Sequence, residues 1–167
     1  MANRKLHPVP PRGGFTLIEL MIVVCIVGLL STVALPEFQN IMLRSKQAER
    51  ELMMNSIMRV LNEYTASHGG KFPGGDEPNL PFNPASDPNG KKQPFDMALG
   101  SWKDLGWAPD GYLYYRYEVQ LNKDGDLVIT AKGDLNNNDL VSYKEIKFRL
   151  QDGMWQRSAE NEYGDHF

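Results

Sequence analysis

A chain of 167 residues, 41% hydrophobic and 23% charged, fits one folded domain rather than two and rules out wholesale disorder. Its net charge of −3 is too small, and of the wrong sign, for a polybasic nucleic-acid binder. Cys25 is the one cysteine, which excludes an intramolecular disulfide and any multi-cysteine zinc or iron–sulfur site.

Residues 1–14 carry Arg4, Lys5 and Arg12 with no acid and end in Gly13-Gly14. Phe15 to Leu35 then runs 21 residues with one charge, Glu19. As a helix this run spans about 30 Å, the hydrocarbon thickness of a bilayer, and its basic flank belongs on the cytoplasmic side. An ordinary cleaved signal peptide, with Thr32-Val33-Ala34 as its small-residue site, fits less well. The run is longer than such a peptide needs, and a carboxylate near its start is out of character.

Gly14-Phe15-Thr16-Leu17-Ile18-Glu19-Leu20 resembles the processing site of type IV pilins and type II secretion pseudopilins. The likeness extends over about 40 residues: a basic leader, Gly before the cut, Phe after it, Glu fifth in the mature chain, and Gly28 and Pro36 inside the apolar helix. It implies that a prepilin peptidase cuts between Gly14 and Phe15 and methylates the new amine of Phe15, so that 153 residues remain. It also implies that Glu19 pairs with the Phe15 ammonium of a neighbouring subunit and sets the register of packed helices.

Elementary chemistry gives reasons for these residues. Gly14 lacks a Cβ and lets the backbone lie against a protease. A carboxylate in the bilayer costs roughly 2.5–3.5 kcal/mol on insertion scales and needs a partner. An intrahelical contact is the alternative to a partner on a second subunit. Pro36 removes a backbone donor and crowds the carbonyl near Thr32. With Gly28 it makes residues 28–36 the weak stretch of the helix, where Ser31 and Thr32 are placed to bond freed backbone groups. A simple kink is consistent with that, and the resemblance to pilins implies the alternative, that the stretch unwinds on assembly.

From Glu37 to about His68 the pattern is amphipathic, with Phe38, Ile41, Met42, Ala48, Leu52, Met53, Ile57, Val60, Leu61 and Tyr64 at three- and four-residue steps. Arg44, Lys46, Glu49, Arg50 and Glu51 lie mostly between them, and Gly69-Gly70 stops the helix. Residues 69–111 hold 7 of the 11 prolines and 8 of the 15 glycines. A structureless loop of that length is unusual in a compact domain, so Phe72, Phe82, Phe95, Trp102 and Trp107 are expected to pin it to the head, with one helical turn at Ser101–Leu105.

Strands are predicted at 112–120, 126–132, 144–151 and 154–157, with Asn122-Lys123-Asp124-Gly125 and Asp152-Gly153 as turns. The fold class expected is α+β: a long N-terminal helix packed on an antiparallel sheet of about four strands, as in pilins. The organisation is a leader (1–14), a transmembrane and assembly helix (15–36) and a head (37–167) whose last residues, 158–167, form a tail.

Asp134, Asn136 and Asn138 place oxygen side chains at alternating positions, with Asp139 and Ser142 close by, a pattern that suits a hard cation such as calcium and also suits a plain turn. The glycine of a full EF-hand loop is replaced by Asp139, while Glu145 stands at the twelfth position. No catalytic constellation appears: His7, His68 and His166 have no nucleophile in suggestive spacing, and Cys25 lies in the apolar run. Without the leader the chain has 15 basic and 21 acidic residues, a charge of −6 that disfavours nucleic acid.

The expectation is therefore a structural filament subunit, a pilin or minor pilin, with no enzymatic activity. A pseudopilin is the first alternative, and a membrane-anchored monomeric periplasmic binding or catalytic domain the more distant one. Its partners would be a prepilin peptidase, the inner membrane, an assembly platform and further copies of itself or related pilins. No cofactor is required beyond the calcium question.

Overall fold

The computed structural model of the chain describes residues 13–164; Arg4, Lys5 and Arg12 of the leader, and His166, lie outside the described residues. The elements are α1 (Leu17–Ser67), β1 (Leu80–Asn83), α2 (Trp102–Leu105), β2 (Arg116–Leu121), β3 (Leu127–Gly133), β4 (Ser142–Gln151) and β5 (Met154–Gly164). Two compact units divide the chain, one ending at Asn40 and the other beginning at Ile41.

In the first unit α1 is long and apolar enough to cross a membrane, and its side chains are uncovered, Leu17 and Val33 each at 75% exposure. An apolar cylinder of this kind is stable in lipid or against other helices, not in water. In the single chain the helix runs unbroken through Gly28 and Pro36. The hydroxyls of Ser31 and Thr32 donate to the carbonyls of Val27 and Leu29, each at 2.7 Å. They satisfy themselves on the turn before Pro36 instead of reaching the carbonyl that Pro36 leaves without a donor.

The second unit is an α+β head. Its sheet has five strands in the order β1-β2-β3-β4-β5, every pair antiparallel, one more strand than the four expected. The added strand, β1, lies inside the proline-rich connection and carries Pro81, which is tolerated because β1 is an edge strand. The segment expected as a tail from residue 158 is instead the second half of β5, paired with β4 up to Ser142↔Gly164. Its pattern hid it, because β5 is an edge strand exposed on nearly every residue and so has no apolar alternation to read. The pairing shifts between Lys147 and Phe148, where the Ser158 hydroxyl donates to the Lys147 carbonyl at 3.1 Å.

The core lies between the sheet and α1 and includes Met54, Ile57 and Leu61 from the helix with Tyr117, Val119, Leu127, Ile129 and Ile146 from the strands. β3 alternates strictly between buried and half-buried residues, as a strand with one covered face must. The helix meets the sheet on a face rotated from the expected stripe. Arg50, Met54, Ile57, Met58, Leu61 and Thr65 are buried, whereas Phe38, Ile41, Met42 and Leu52 are exposed. Of the expected stripe, Ile57 and Leu61 are buried and Met53, Val60 and Tyr64 pack on the core, while Arg50 departs from it by pointing inward, its charge met by Glu162 at 2.6 Å.

The connection is pinned by aromatics, as predicted. Trp102 and Trp107 are buried and Phe95 meets both edge-on, at 5.3 and 5.2 Å. Phe72 is buried too. Phe82 differs: it lies half-buried with the Arg116 guanidinium over its ring at 4.6 Å. α2 forms within the predicted turn, and Trp102 Nε1 donates to the Pro81 carbonyl at 2.9 Å, tying α2 to β1.

Candidate functional site

Residues 13–16 are non-helical and exposed, so the Gly14–Phe15 bond lies in an accessible segment just ahead of α1. Phe15 is 92% exposed. A Cβ built on Gly14 meets nothing within 4 Å, and neither does one on Gly28. The chain's own fold requires glycine at neither place, so any demand for it comes from outside the chain.

Thr16 and Glu19 start the helix. Glu19 N–H donates to Thr16 Oγ1 at 3.3 Å, while Glu19 Oε2 accepts from Thr16 N–H at 2.8 Å and from Thr16 Oγ1 at 2.7 Å. This reciprocal arrangement is a capping box, and its Thr-x-x-Glu signature stands in the sequence. Within a single chain, Glu19 thus makes the intrahelical contact, the alternative to a partner on a second subunit. The carboxylate is held at the positive end of the helix dipole, four residues from the Phe15 nitrogen that cleavage would expose.

In the head, Asp134 is buried at 2% exposure. Its carboxylate accepts from the N–H groups of Asn138 and Asp139, both at 3.2 Å, and Asn138 Oδ1 accepts from Leu140 N–H at 2.8 Å. Asn137 and Asp139 adopt left-handed backbones, with φ of 56° and 64°, which Asn and Asp tolerate. The oxygen-rich stretch therefore shapes its own backbone. Glu145 stands apart from it, accepting from the Tyr163 hydroxyl at 2.7 Å. No group of three or more His, Cys, Asp or Glu side chains that could hold a metal occurs among the described residues.

Three charged residues expected on the wet face of α1 instead hold the head together. Arg50 reaches Glu162 of β5. Glu51 pairs with Lys144 of β4, which also meets Glu160 of β5. Burial alone would depress the Lys144 pKa, but hydrogen bonds to Glu160 and Glu51 outweigh it and raise the value. Glu49 accepts from the Tyr114 N–H at 2.8 Å, and burial raises its pKa despite that bond. Single residues of the wrong polarity inside a helical stripe carry no sequence signal that separates a solvated charge from a paired one.

Residues 10–35 match the family described as the prokaryotic N-terminal methylation motif. Over 78 residues the chain is 42% identical to a type IV major pilin protein, PilE1, of Neisseria gonorrhoeae, covering 47% of each chain. It is 46% identical over 61 residues to a fimbrial protein of Neisseria meningitidis serogroup B, covering 36% of this chain and 35% of that one. Over 48 residues it is 48% identical to the type IV major pilin protein PilA of Myxococcus xanthus, covering 29% and 22%. The matched stretch spans less than half the length of each relative. No solved structure matches the chain.

Proposed function

We propose that the chain belongs to the type IV pilin and pseudopilin family marked by the prepilin-type N-terminal motif and that it is a processed structural subunit of a type IV pilus-like filament. The observation that carries this reading is the exposed Gly14–Phe15 segment followed at once by a capped apolar helix. A prepilin peptidase removes residues 1–14 on the cytoplasmic side of the inner membrane and methylates Phe15. The Glu19 carboxylate then leaves Thr16 for the new ammonium of a neighbouring subunit, where opposite charges offset the cost of holding either in an apolar surround.

A platform in the inner membrane lifts the subunit into the filament through α1. The role is structural and involves no catalysis. The names of its relatives, type IV major pilins and fimbrial proteins, favour a surface pilin over a periplasmic pseudopilin.

Intact mass of the membrane-extracted protein, together with a Glu19→Ala variant assayed for sheared filaments, tests the reading. Loss of residues 1–14 with one methyl group on Phe15, and loss of filaments in the variant, is the expected result. An uncut chain that still folds would overturn it and turn attention to the head as a membrane-anchored binding domain. A processed chain that never reaches the cell surface would make it a pseudopilin.

A further inference from the structure

The sheet of the head has two faces, and α1 covers one. Across the other runs a groove of about 400 Å³ that reaches from Phe82 on β1 to Tyr163 on β5. Four strand spacings make that about 20 Å. The volume is that of a small-molecule site, while the length suits a chain of rings better than one compact molecule.

The register sets the lining. Glu118, Thr130 and Glu145 stand abreast on β2, β3 and β4, and Gln120, Val128 and Lys147 form the next row. Their chain neighbours Val119, Ile129 and Ile146 are buried in the core, so alternation turns these side chains outward. At the β5 end the rings of Tyr143 and Tyr163 stack 5.1 Å apart and 8° from parallel, and the Tyr163 hydroxyl donates to Glu145 at 2.7 Å. On the row beyond, Arg116 and Lys132 are already engaged, both bonded to Asp87 Oδ1, at 2.7 and 2.8 Å.

The groove therefore holds two carboxylates and one ammonium, from Glu118, Glu145 and Lys147. That balance lacks the positive surplus nucleic acid requires, and it sets a like charge before either an anion or a cation. Hydrogen-bonding capacity is mixed instead: the carboxylates only accept, Lys147 only donates, and Gln120 and Thr130 do both. Burial raises the pKa of Glu118, as for a carboxylate that has lost water without equal compensation. We infer that the groove binds a neutral oligosaccharide. Its hydroxyls donate and accept, so they match every polar group there, and its C–H faces suit Val128 and the tyrosine rings. An extended peptide laid across the strands finds no ladder of backbone partners on a sheet face, because such partners are offered at an edge. The site belongs to the head alone and stands whether or not the filament reading does.

Saturation-transfer NMR on the full chain, in a detergent without a sugar headgroup, tests the inference. The probes are N-acetylchitotetraose and galactotetraose, both neutral, and at least one is expected to bind. Glu118→Gln combined with Glu145→Gln should weaken that binding at least about tenfold. Val128→Trp, which fills the middle of the groove, should abolish it. Thermal melts show that each variant is folded, and the near-isosteric glutamine pair keeps the test valid if the tryptophan disrupts the sheet. An N-acetylated cell-wall glycan and a galactose-bearing glycan of another cell surface share this chemistry, and the probe that binds tells them apart.

Binding of neither probe overturns the proposal. So does binding that the glutamine pair and Val128→Trp leave intact, because the site then lies elsewhere. A heparin tetrasaccharide or tetralysine that binds the groove in place of the neutral probes would assign it to a charged ligand, with the same consequence. None of these outcomes touches the filament reading, which processing and shearing decide.

Discussion

Asn62 grips Trp155 at both of its backbone polar groups: its Oδ1 accepts from the Trp155 N–H at 3.0 Å and its Nδ2 donates to the Trp155 carbonyl at 3.3 Å. One side chain of α1 thereby takes the place of a further strand along the start of β5. Asn62→Ala is expected to cost about 1–3 kcal/mol, the usual cost of leaving partly buried polar groups unpaired. The denaturant midpoint of the detergent-solubilised protein should fall accordingly. No change would mean that water serves Trp155 equally well.

Two glutamates of the sheet titrate with opposite consequences. Burial raises the pKa of Glu118, whereas the hydrogen bond from Lys144 lowers that of Glu160. A raised folded pKa means that ionisation penalises the folded state, and the penalty accrues as pH rises through and above the ordinary value of about 4.3. Glu118→Gln should therefore raise the thermal midpoint at pH 7 and leave it unchanged at pH 3. A depressed folded pKa contributes stability that is present above the ordinary value and lost as pH falls through the folded one. Glu160→Gln should lower the midpoint at pH 7, with the difference vanishing in strong acid. Thermal melts at the two pH values decide, and the same sign for both variants would contradict the assignment.

Gly133 sits where the Tyr115 ring lies across β3, and a Cβ there would overlap the ring edge. Tyr115 is itself buried at 1% exposure and has little room to retreat. Gly133→Ala should cost about 1–3 kcal/mol, as overpacking does. Gly111→Ala, in open space but with φ of 96°, would reach a comparable loss only through backbone strain. Urea titrations of the two variants, with and without Tyr115→Ala, separate the causes: loss of the ring should abolish most of the added cost of Gly133→Ala and leave that of Gly111→Ala unchanged.

Thr16→Val removes the capping hydroxyl and keeps Glu19. The first turn of α1 should loosen, costing about 1 kcal/mol of helix start, which shows as faster amide exchange at Leu17–Glu19 in detergent. Filament yield should be retained, because the acid that pairs between subunits is still present. If yield collapsed as it does for Glu19→Ala, the cap itself would be what assembly needs.

Asp134 already accepts backbone N–H groups on both carboxylate oxygens, so hydrogen bonds within the 134–139 loop compete with a cation for that carboxylate. Addition of calcium to several times about 1 mM, the weak limit of extracellular sites, should leave the thermal midpoint in place, whereas Asp134→Ala should lower it. A calcium-dependent rise that Asp134→Ala abolishes would assign the loop a metal after all.

What could be read from the sequence follows a physical divide. The apolar run from Phe15, the helix stop at Gly69-Gly70, the turn at Asn122–Gly125 and the inward alternation of β3 were legible, because each is a local demand of one element. β1 was not, since a proline-bearing edge strand looks like loop. The second half of β5 was hidden because a strand wet on both faces has no period. Arg50 was assigned to solvent because its partner, Glu162, lies 112 residues away, and only folding brings the two together. At the N-terminus the motif at residues 10–35 is legible because it is local, and the Thr16-x-x-Glu19 spacing carries the capping bond as well.

The polar character of β5 has one more implication. A long edge strand with unpaired backbone groups is an invitation to indiscriminate sheet stacking. Here the edge carries Arg157, Glu160 and Glu162, is interrupted by a bulge, and offers almost no apolar side chain to a sheet laid alongside. A subunit of the proposed filament, held at high local density in a membrane before use, is most exposed to that hazard. The strand that contributes least to the core thus acts as a guard, closing the amyloid-like route to polymerisation and leaving order to be imposed by the helix.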